Sequence, residues 1–357
     1  MERMTKAVKN FGLPRIIIIA FFLSLLVAAA VTGMDMAALL GDVVRRWAMY
    51  GILVLAMVPS IQCGIGPNFG VTIGIVGGLL AALITIEMRF YGFFDSFANG
   101  GAMMQVCIAI LLALILSSIL GILYGMLLNR VKGSEMTVST YVGFSIVALF
   151  NILWLMLPFK NGTSIWPLAG EGMRTTINLE ADFASVFNNL LAFKIGNFEM
   201  PTGLLLLFFL ACFFVWLFTK SRTGMMMSAA GANPNFAKAA GINVNKMRIL
   251  GTTISTALGG VGIICYAQSF GFLQLYNAPQ MMGFACVASV LIGGASISKA
   301  RIVHVLLGTL LFHGMLAVAL PVANNILPEG NLSEILRIII SNGIILYALS
   351  KAKEAGK

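Results

Sequence analysis

Ser296, in the run Gly293-Gly294-Ala295-Ser296-Ile297-Ser298, and His313 are the residues whose types could carry nucleophilic chemistry in this chain. A serine hydrolase needs a serine activated by a neighbouring base, and the G-x-S-x-G elbow that presents one is not satisfied here. The sequence contains neither H-E-x-x-H nor G-x-x-x-x-G-K-[ST], so the chain is not expected to bind and hydrolyse ATP by itself. Cys63, Cys107, Cys212, Cys265 and Cys286 lie in or beside apolar runs without paired ligand spacing. They read as small buried hydrophobes, and no metal site is expected. Binding is the chemistry left to the polar residues. His313 is deep in an apolar run beside Gly314 and one turn from Thr309, so it faces neighbouring helices or a cavity rather than lipid. Interhelical hydrogen bonding and substrate contact are both open to it. His304, one turn from Arg301, reads as snorkelling or headgroup contact.

A second constellation occupies residues 220–248, a basic interruption between two apolar runs that contains no acidic residue. Asn233 is a good N-cap, and Pro234 follows where a missing N–H costs nothing. Phe236, Ala239 and Ala240 share one face at helical spacing, with Lys238 beside them, and Gly241 is a natural stop. A two-turn helix is marginal alone, so this one is expected to form against a partner. Lys220, Arg222 and Arg248 are explained by topology and contact with anionic lipid.

These residues must be positioned by membrane helices. The chain is 59% hydrophobic and 10% charged over 357 residues, against about 25% charged in a soluble domain. Apolar runs of roughly 20 residues recur throughout, the signature of an all-α polytopic membrane protein. Ten spans are expected, at 15–33, 47–63, 70–87, 103–129, 137–158, 200–219, 249–269, 280–298, 302–322 and 333–350. Basic residues, an apolar run at 16–31 and the Ala28-Ala29-Ala30 within it could pass for a cleaved signal, but read here as an uncleaved first span. With the N-terminus inside, most of the 23 basic residues fall on the cytoplasmic side, beside only Glu2, Glu135 and Glu354 of the 13 acidic ones. That asymmetry places both termini in the cytoplasm and turns the net charge of +10 toward the membrane rather than nucleic acid.

The whole chain, 1–357, reads as a single transmembrane domain. Its longest external stretch, 159–199, is expected to hold a short interfacial helix. Gly64-Ile65-Gly66-Pro67-Asn68-Phe69-Gly70 joins spans two and three and predicts a broken or re-entrant helix, which needs protein or a water-filled cavity over its freed backbone groups. Gly66, Gly70, Gly74 and Gly78 recur every fourth residue, a smooth stripe for close helix packing. Discontinuous helices also build midplane sites in transporters, and Asn68, Gln62 and His313 are the expected cavity residues. No chain of carboxylates crosses the spans, since Glu87 and Arg89 sit at a span end, which weakens proton-coupled transport.

The segment from Gly231 to Arg248 resembles the G-x-N-x-x-A-A-x-x-A-G-I-x-V loop of membrane permeases of bacterial ABC importers for ribose-type sugars, nucleosides and branched-chain amino acids. Ser255-Thr-Ala-Leu-Gly-Gly-Val-Gly-Ile and Val290-Leu-Ile-Gly-Gly-Ala-Ser-Ile are similar to two further stretches of that family, as is Asn342-Gly343-Ile-Ile-Leu before a basic tail. The resemblance is best over 219–350. It implies two permease chains forming a pathway, identical or not, two cytoplasmic ATP-binding subunits holding ATP and Mg, and an extracytoplasmic solute-binding protein, in the bacterial plasma membrane. It also implies that 233–241 is the coupling helix, docked through Asn233, Pro234, Phe236, Lys238, Ala240 and Gly241. Sugar-type permeases carry an acidic G-x-I-D-L-S-V-G-like segment between spans two and three, and Gly64-Ile-Gly-Pro-Asn-Phe-Gly-Val-Thr-Ile-Gly lacks the acid. Ser298-Lys299-Ala300-Arg301 likewise replaces further family glycines. The expected function is import of a small polar solute, a monosaccharide first, with nucleoside or branched-chain amino-acid import next and a stand-alone transporter or channel as the alternative class.

Overall fold

The structure, a computed structural model, describes residues 13–97, 101–161, 164–165, 173–276 and 278–326, with 338, 339, 342, 343 and 346. Helix α1 (Leu13–Val31) leads into α2 (Met36–Leu55), which starts well before the expected position 47. Asp35 makes the difference: its Oδ1 accepts from the N–H groups of Ala37 and Ala38 at 2.9 and 3.2 Å, nucleating the helix ahead of the apolar zone. Asp42 and Arg45, which look like a span boundary in the sequence, pair at 2.6 Å on the exposed side of that first stretch.

After a turn at Ala56 the chain continues as α3 (Met57–Gln62), then runs through residues 63–70 into α4 (Val71–Phe90). Gly64 and Gly66 have φ of +81° and +93°, a region costly for any residue with a Cβ. The peripheral helices α5 (Ala102–Arg130) and α6 (Glu135–Met156) follow. Residues 173–200 hold β1 (Thr176–Asn178), the four-residue α7 (Val186–Asn189), β2 (Phe193–Ile195) and β3 (Phe198–Met200). The stretch expected to hold a short helix holds one in α7, and three short strands beside it: Thr176 to Asn178 hydrogen-bond antiparallel to β4 (Phe272–Gln274), while β2 and β3 form a hairpin.

Next come α8 (Thr202–Lys220), α9 (Arg222–Ala232), α10 (Pro234–Ala239) and α11 (Val244–Phe270). The loop expected at 220–248 is thus largely helical. Ser221 Oγ accepts from Gly224 N at 3.2 Å and Asn243 Oδ1 from Lys246 N at 3.0 Å, so each helix begins on its own cap. Helices α12 (Ala278–Ile292) and α13 (Ile302–Ile326) close the described fold. The span expected at 280–298 stops at Ile292 because Gly294 turns the chain with φ +101°.

Among the described residues seven helices are long and apolar enough to cross a membrane, fewer than the ten spans expected. Two expected spans are shorter apolar helices, Arg15–Val31 and Pro279–Ile292, and 333–350 lies almost wholly outside the described residues. Burial sorts the helices into layers. The apolar windows of α4 and α11 are 83% and 72% buried, whereas those of α5, α6 and α8 are 28%, 28% and 33% buried. Outer helices accordingly expose Leu111, Ile115, Ile119 and Leu123 on α5 and Leu206, Phe213 and Phe214 on α8, side chains suited to lipid. The glycine stripe works at two of its positions. A Cβ at Gly74 would overlap the Thr256 carbonyl, and one at Gly78 the Gly260 carbonyl, so α4 crosses α11 backbone to backbone. Gly293 and Gly308 bring α12 and α13 equally close.

Candidate functional site

Asn233 adopts extended φ/ψ of −149° and 94°, ends α9, and caps α10 by accepting from Phe236 N at 3.0 Å. Pro234 occupies the first turn, and Gly241 (φ +79°) follows Ala240 at the helix end. Ala237 is fully buried against Ala230, Val244, Ile242 and Met247. Pinning the helix by Ala237 turns Phe236, 68% exposed, outward together with Lys238, Ala239 and Ala240. All six loop residues singled out in the sequence are thus on one short element with an apolar ring at its tip.

Helix α9 links this element to the bundle. Met227 is buried among Cys63, Ile65, Ile73, Tyr124 and Leu128. Gly231 packs so tightly on the end of α3 that a Cβ would overlap the Gln62 carbonyl and lie 2.7 Å from Gly64 N. A cavity of about 450 Å³ opens alongside, lined by Gly64, Gly66, Ser134, Glu135, Gly231 and Ser298.

Sequence reasoning missed the anchor of this face. Arg248, read as a topology charge, is buried at 7% exposure. It donates to Glu135 Oε1 at 2.5 Å and to Asn129 Oδ1 at 3.0 Å, while Asn245 binds Lys132 Nζ at 2.7 Å. The available signal was Glu135 itself, one of three carboxylates on a side of the chain dominated by basic residues.

Gln62, Asn68 and His313 are not brought to one place. Gln62 Nε2 donates to Ala300 O at 3.1 Å, and its Oε1 has no partner among the described residues. Asn68 is buried and engaged at both ends, donating to Ser255 Oγ at 2.8 Å and accepting from Tyr124 Oη at 3.1 Å. His313 is stacked on Tyr50, centroids 3.7 Å apart and planes 11° from parallel, and its buried Nε2 has no partner among the described residues. An unmet buried polar group costs about 1–3 kcal/mol, so such a group needs a reason. His304 Nδ1 accepts from Arg301 N at 3.3 Å, and Ser296 Oγ accepts from Lys299 N at 3.0 Å within a turn.

On the opposite face Arg89 pairs with Asp182 at 2.8 Å, and Glu87 accepts from the N–H groups of Lys160 and Asn161 at 2.8 and 3.3 Å. Burial nonetheless pushes the Asp182 carboxyl above its ordinary value, outweighing the pull of Arg89. A basin of about 580 Å³ opens there, lined by Arg174, Thr176, Asn178, Glu180, Asp182 and Phe272. A second cavity of about 390 Å³ is lined by Asp42, Arg45, Asn188, Lys194, Asn197 and Glu199.

A helical bundle sheathed in apolar side chains, with polar cavities on both faces and a small capped helix projecting from one, has the organisation of a membrane permease. The chain belongs to the family described as branched-chain amino acid transport system, permease component, which matches residues 39–348. It is 27% identical over 169 residues to the nucleoside ABC transporter permease protein NupB of Lactococcus lactis subsp. cremoris, covering 46% of this chain and 43% of that one. It is 34% identical over 134 residues to the probable ABC transporter permease protein YphD of Escherichia coli, 37% and 39% of the two chains. With the fructose import permease protein FrcC of Rhizobium meliloti it shares 29% over 126 residues, 33% of each chain. These matches span less than half the length of each relative. No solved structure matches the chain.

Proposed function

We propose that this chain is the permease subunit of an ATP-binding-cassette importer that moves a small polar solute across the bacterial plasma membrane by alternating access. Both termini lie in the cytoplasm in this reading, so α10 projects toward two ATP-binding subunits, which hold ATP and Mg. A second permease chain completes the pathway, and an extracytoplasmic solute-binding protein delivers cargo to the face bearing the basin. The observation that carries the reading is the exposed Phe236 on a capped helix, joined through α9 to the backbone of Gln62 and Gly64. Closure of the ATP-binding subunits on Phe236 would move Gly231, and with it the 63–70 segment between α3 and α4. That segment acts as the broken helix of the pathway. A monosaccharide is the leading cargo, in keeping with the name of the fructose permease relative. The nucleoside reading is favoured by two relatives named as nucleoside permeases.

Phe236→Asp tests the coupling claim. Membrane insertion should be unchanged while co-purification of the ATPase subunits and ATP-dependent uptake are both lost; retained transport in that variant would falsify the claim.

A further inference from the structure

The hairpin of β2 and β3 stands at the membrane boundary. It ends at Met200, and α8 starts at Thr202 and runs 19 residues to Lys220, where the chain turns into α9 and α10. That length is about 28 Å of helix against a hydrocarbon core of about 30 Å, so the start of α8 marks the boundary on the side away from α10. Leu190 O accepts from Gly203 N at 2.9 Å, which sets Leu190 and Leu191 level with the first turn of that span. Leu191 holds φ +54°, an uncommon backbone for a residue with a Cβ, and is 68% exposed. Phe193 and Ile195 follow at strand spacing, 48% and 68% exposed. Leu191, Phe193 and Ile195 thus form an apolar row that no described residue covers, and Leu206, one turn into α8, is exposed as well.

The other face of the hairpin is charged. Lys194 and Glu199 stand opposite each other in the register and pair, and Asn197 donates to the Asp35 carboxylate at the start of α2. On α2 itself Asp42 pairs with Arg45 at 2.6 Å. Asp42, Arg45, Lys194 and Glu199 all line the cavity of about 390 Å³ between hairpin and helix, and each is about half exposed or more. Their charges sum to zero, and ion pairs this open to water are weak enough to exchange partners. The backbone of Glu199 lies against Gly41 of α2, so β3 is the inner strand and β2 the outer one. The free edge of β2 therefore separates the apolar row from the charged cavity.

We propose that the hairpin and α2 form a binding site for a zwitterionic phospholipid with a primary ammonium, a phosphatidylethanolamine, in the leaflet away from α10. Its acyl chains lie on Leu191, Phe193 and Ile195, its glycerol crosses the edge of β2 at the small, exposed Ala192, and its headgroup fills the cavity. The phosphate takes Arg45 and Lys194, and the ammonium takes Asp42 and Glu199, so that both existing pairs exchange partners through the lipid. A choline headgroup matches these charges, but its three methyl groups leave no N–H to donate to the carboxylates. An anionic headgroup would set a phosphate beside two carboxylates with no cation to offset them. Depth selects lipid over a soluble partner, because an apolar row level with the first turn of a span lies at the headgroup and acyl boundary.

The test uses the full chain purified in detergent and equilibrated with equal amounts of dioleoyl phosphatidylethanolamine, phosphatidylcholine and phosphatidylglycerol. Native mass spectrometry should show one ethanolamine lipid retained about tenfold over either competitor, the scale of one charge-assisted hydrogen bond. Glu199→Gln should bring the ethanolamine lipid down to the level of the choline lipid, while Glu199→Asp keeps the preference. Equal retention of the three lipids by the wild-type chain, or a preference for the glycerol lipid, would overturn the headgroup assignment. Depth is read in liposomes from nitroxides on Ile195→Cys and on Asn178→Cys in the basin, each with the exposed Cys107 replaced by Ser. Dissolved oxygen should relax the label at 195 more than an aqueous nickel chelate does, with the reverse order at 178. A nickel chelate that reaches 195 as readily as 178 would place the hairpin in water and overturn the site. Access at 195 that is lost only on adding a solute-binding protein would overturn it too, and assign the row to that protein.

Discussion

The Arg248 guanidinium meets the Glu135 carboxylate at 2.5 Å, with the two side chains only 9% and 14% exposed, and joins the second turn of α11 to the first turn of α6. Removing one partner of a buried pair strands the other charge. Arg248→Ala or Glu135→Gln should therefore cost about 3–5 kcal/mol, whereas Arg248→Met combined with Glu135→Leu should cost much less. Thermal unfolding in detergent measures both. A single variant within about 1 kcal/mol of wild type, the range of a surface pair, would show that the pair is not an anchor.

Gly231→Ala separates docking from transmission. Its Cβ would overlap the Gln62 carbonyl, so the end of α9 must shift away from α3, while α10 and Phe236 are left intact. ATPase subunits should still co-purify, and uptake should fall by about tenfold or more if motion passes through this contact, a loss of about 1.4 kcal/mol of coupling. Wild-type uptake in Gly231→Ala would show that the force travels elsewhere.

The cap of α10 is local and separately measurable. Asn233→Ala removes the acceptor of Phe236 N and should cost about 1 kcal/mol of helix stability, raising hydrogen exchange at that amide about fivefold. Asn233→Asp, which keeps the acceptor, should exchange like wild type.

Two carboxylates on the face bearing the basin should respond to pH with opposite sign. Burial raises Asp182 in the folded chain, so the folded state takes up a proton more readily than the unfolded one. Stability relative to Asp182→Asn should therefore increase as pH falls toward and below the ordinary Asp value of about 3.9, and be lost as pH rises through the raised folded value. Asp35 is lowered, chiefly by the Asn197 side-chain amide and then by Ala38 N–H. Its contribution is present above that ordinary value and is lost as pH falls through the lower folded one. Melting temperatures of the two Asn variants across pH 3–7, compared with wild type, give the signs; equal slopes would refute both assignments.

Much of the site was legible because its determinants are short-range. Asn233 and Phe236 are three positions apart, so cap, proline and glycine stop could be read directly. Gly74 and Gly78 could be read as a packing stripe, though which helix they meet could not. The early start of α2 was hidden because Asp42, Arg45 and Arg46 resemble a boundary, whereas a helix can extend past the apolar zone once Asp35 caps it. The strand at 176–178 was hidden for a different reason: its partner at 272–274 lies far along the chain.

By itself the sequence determined that this is a polytopic helical membrane chain with a capped helix between two apolar runs. Hydropathy over twenty residues and a side chain reaching its own backbone three residues on need no knowledge of the fold. Only the tertiary structure decided which way Phe236 faces, that Arg248 is buried on Glu135 113 positions away, and that Asn68 is held by Ser255 across 187. It also decided that Lys194 and Glu199 of one hairpin share a cavity with Asp42 and Arg45 of α2. Those relationships depend on which helices cross and at what depth, and backbone contacts such as those of Gly74 on Thr256 and Gly231 on Gln62 set both.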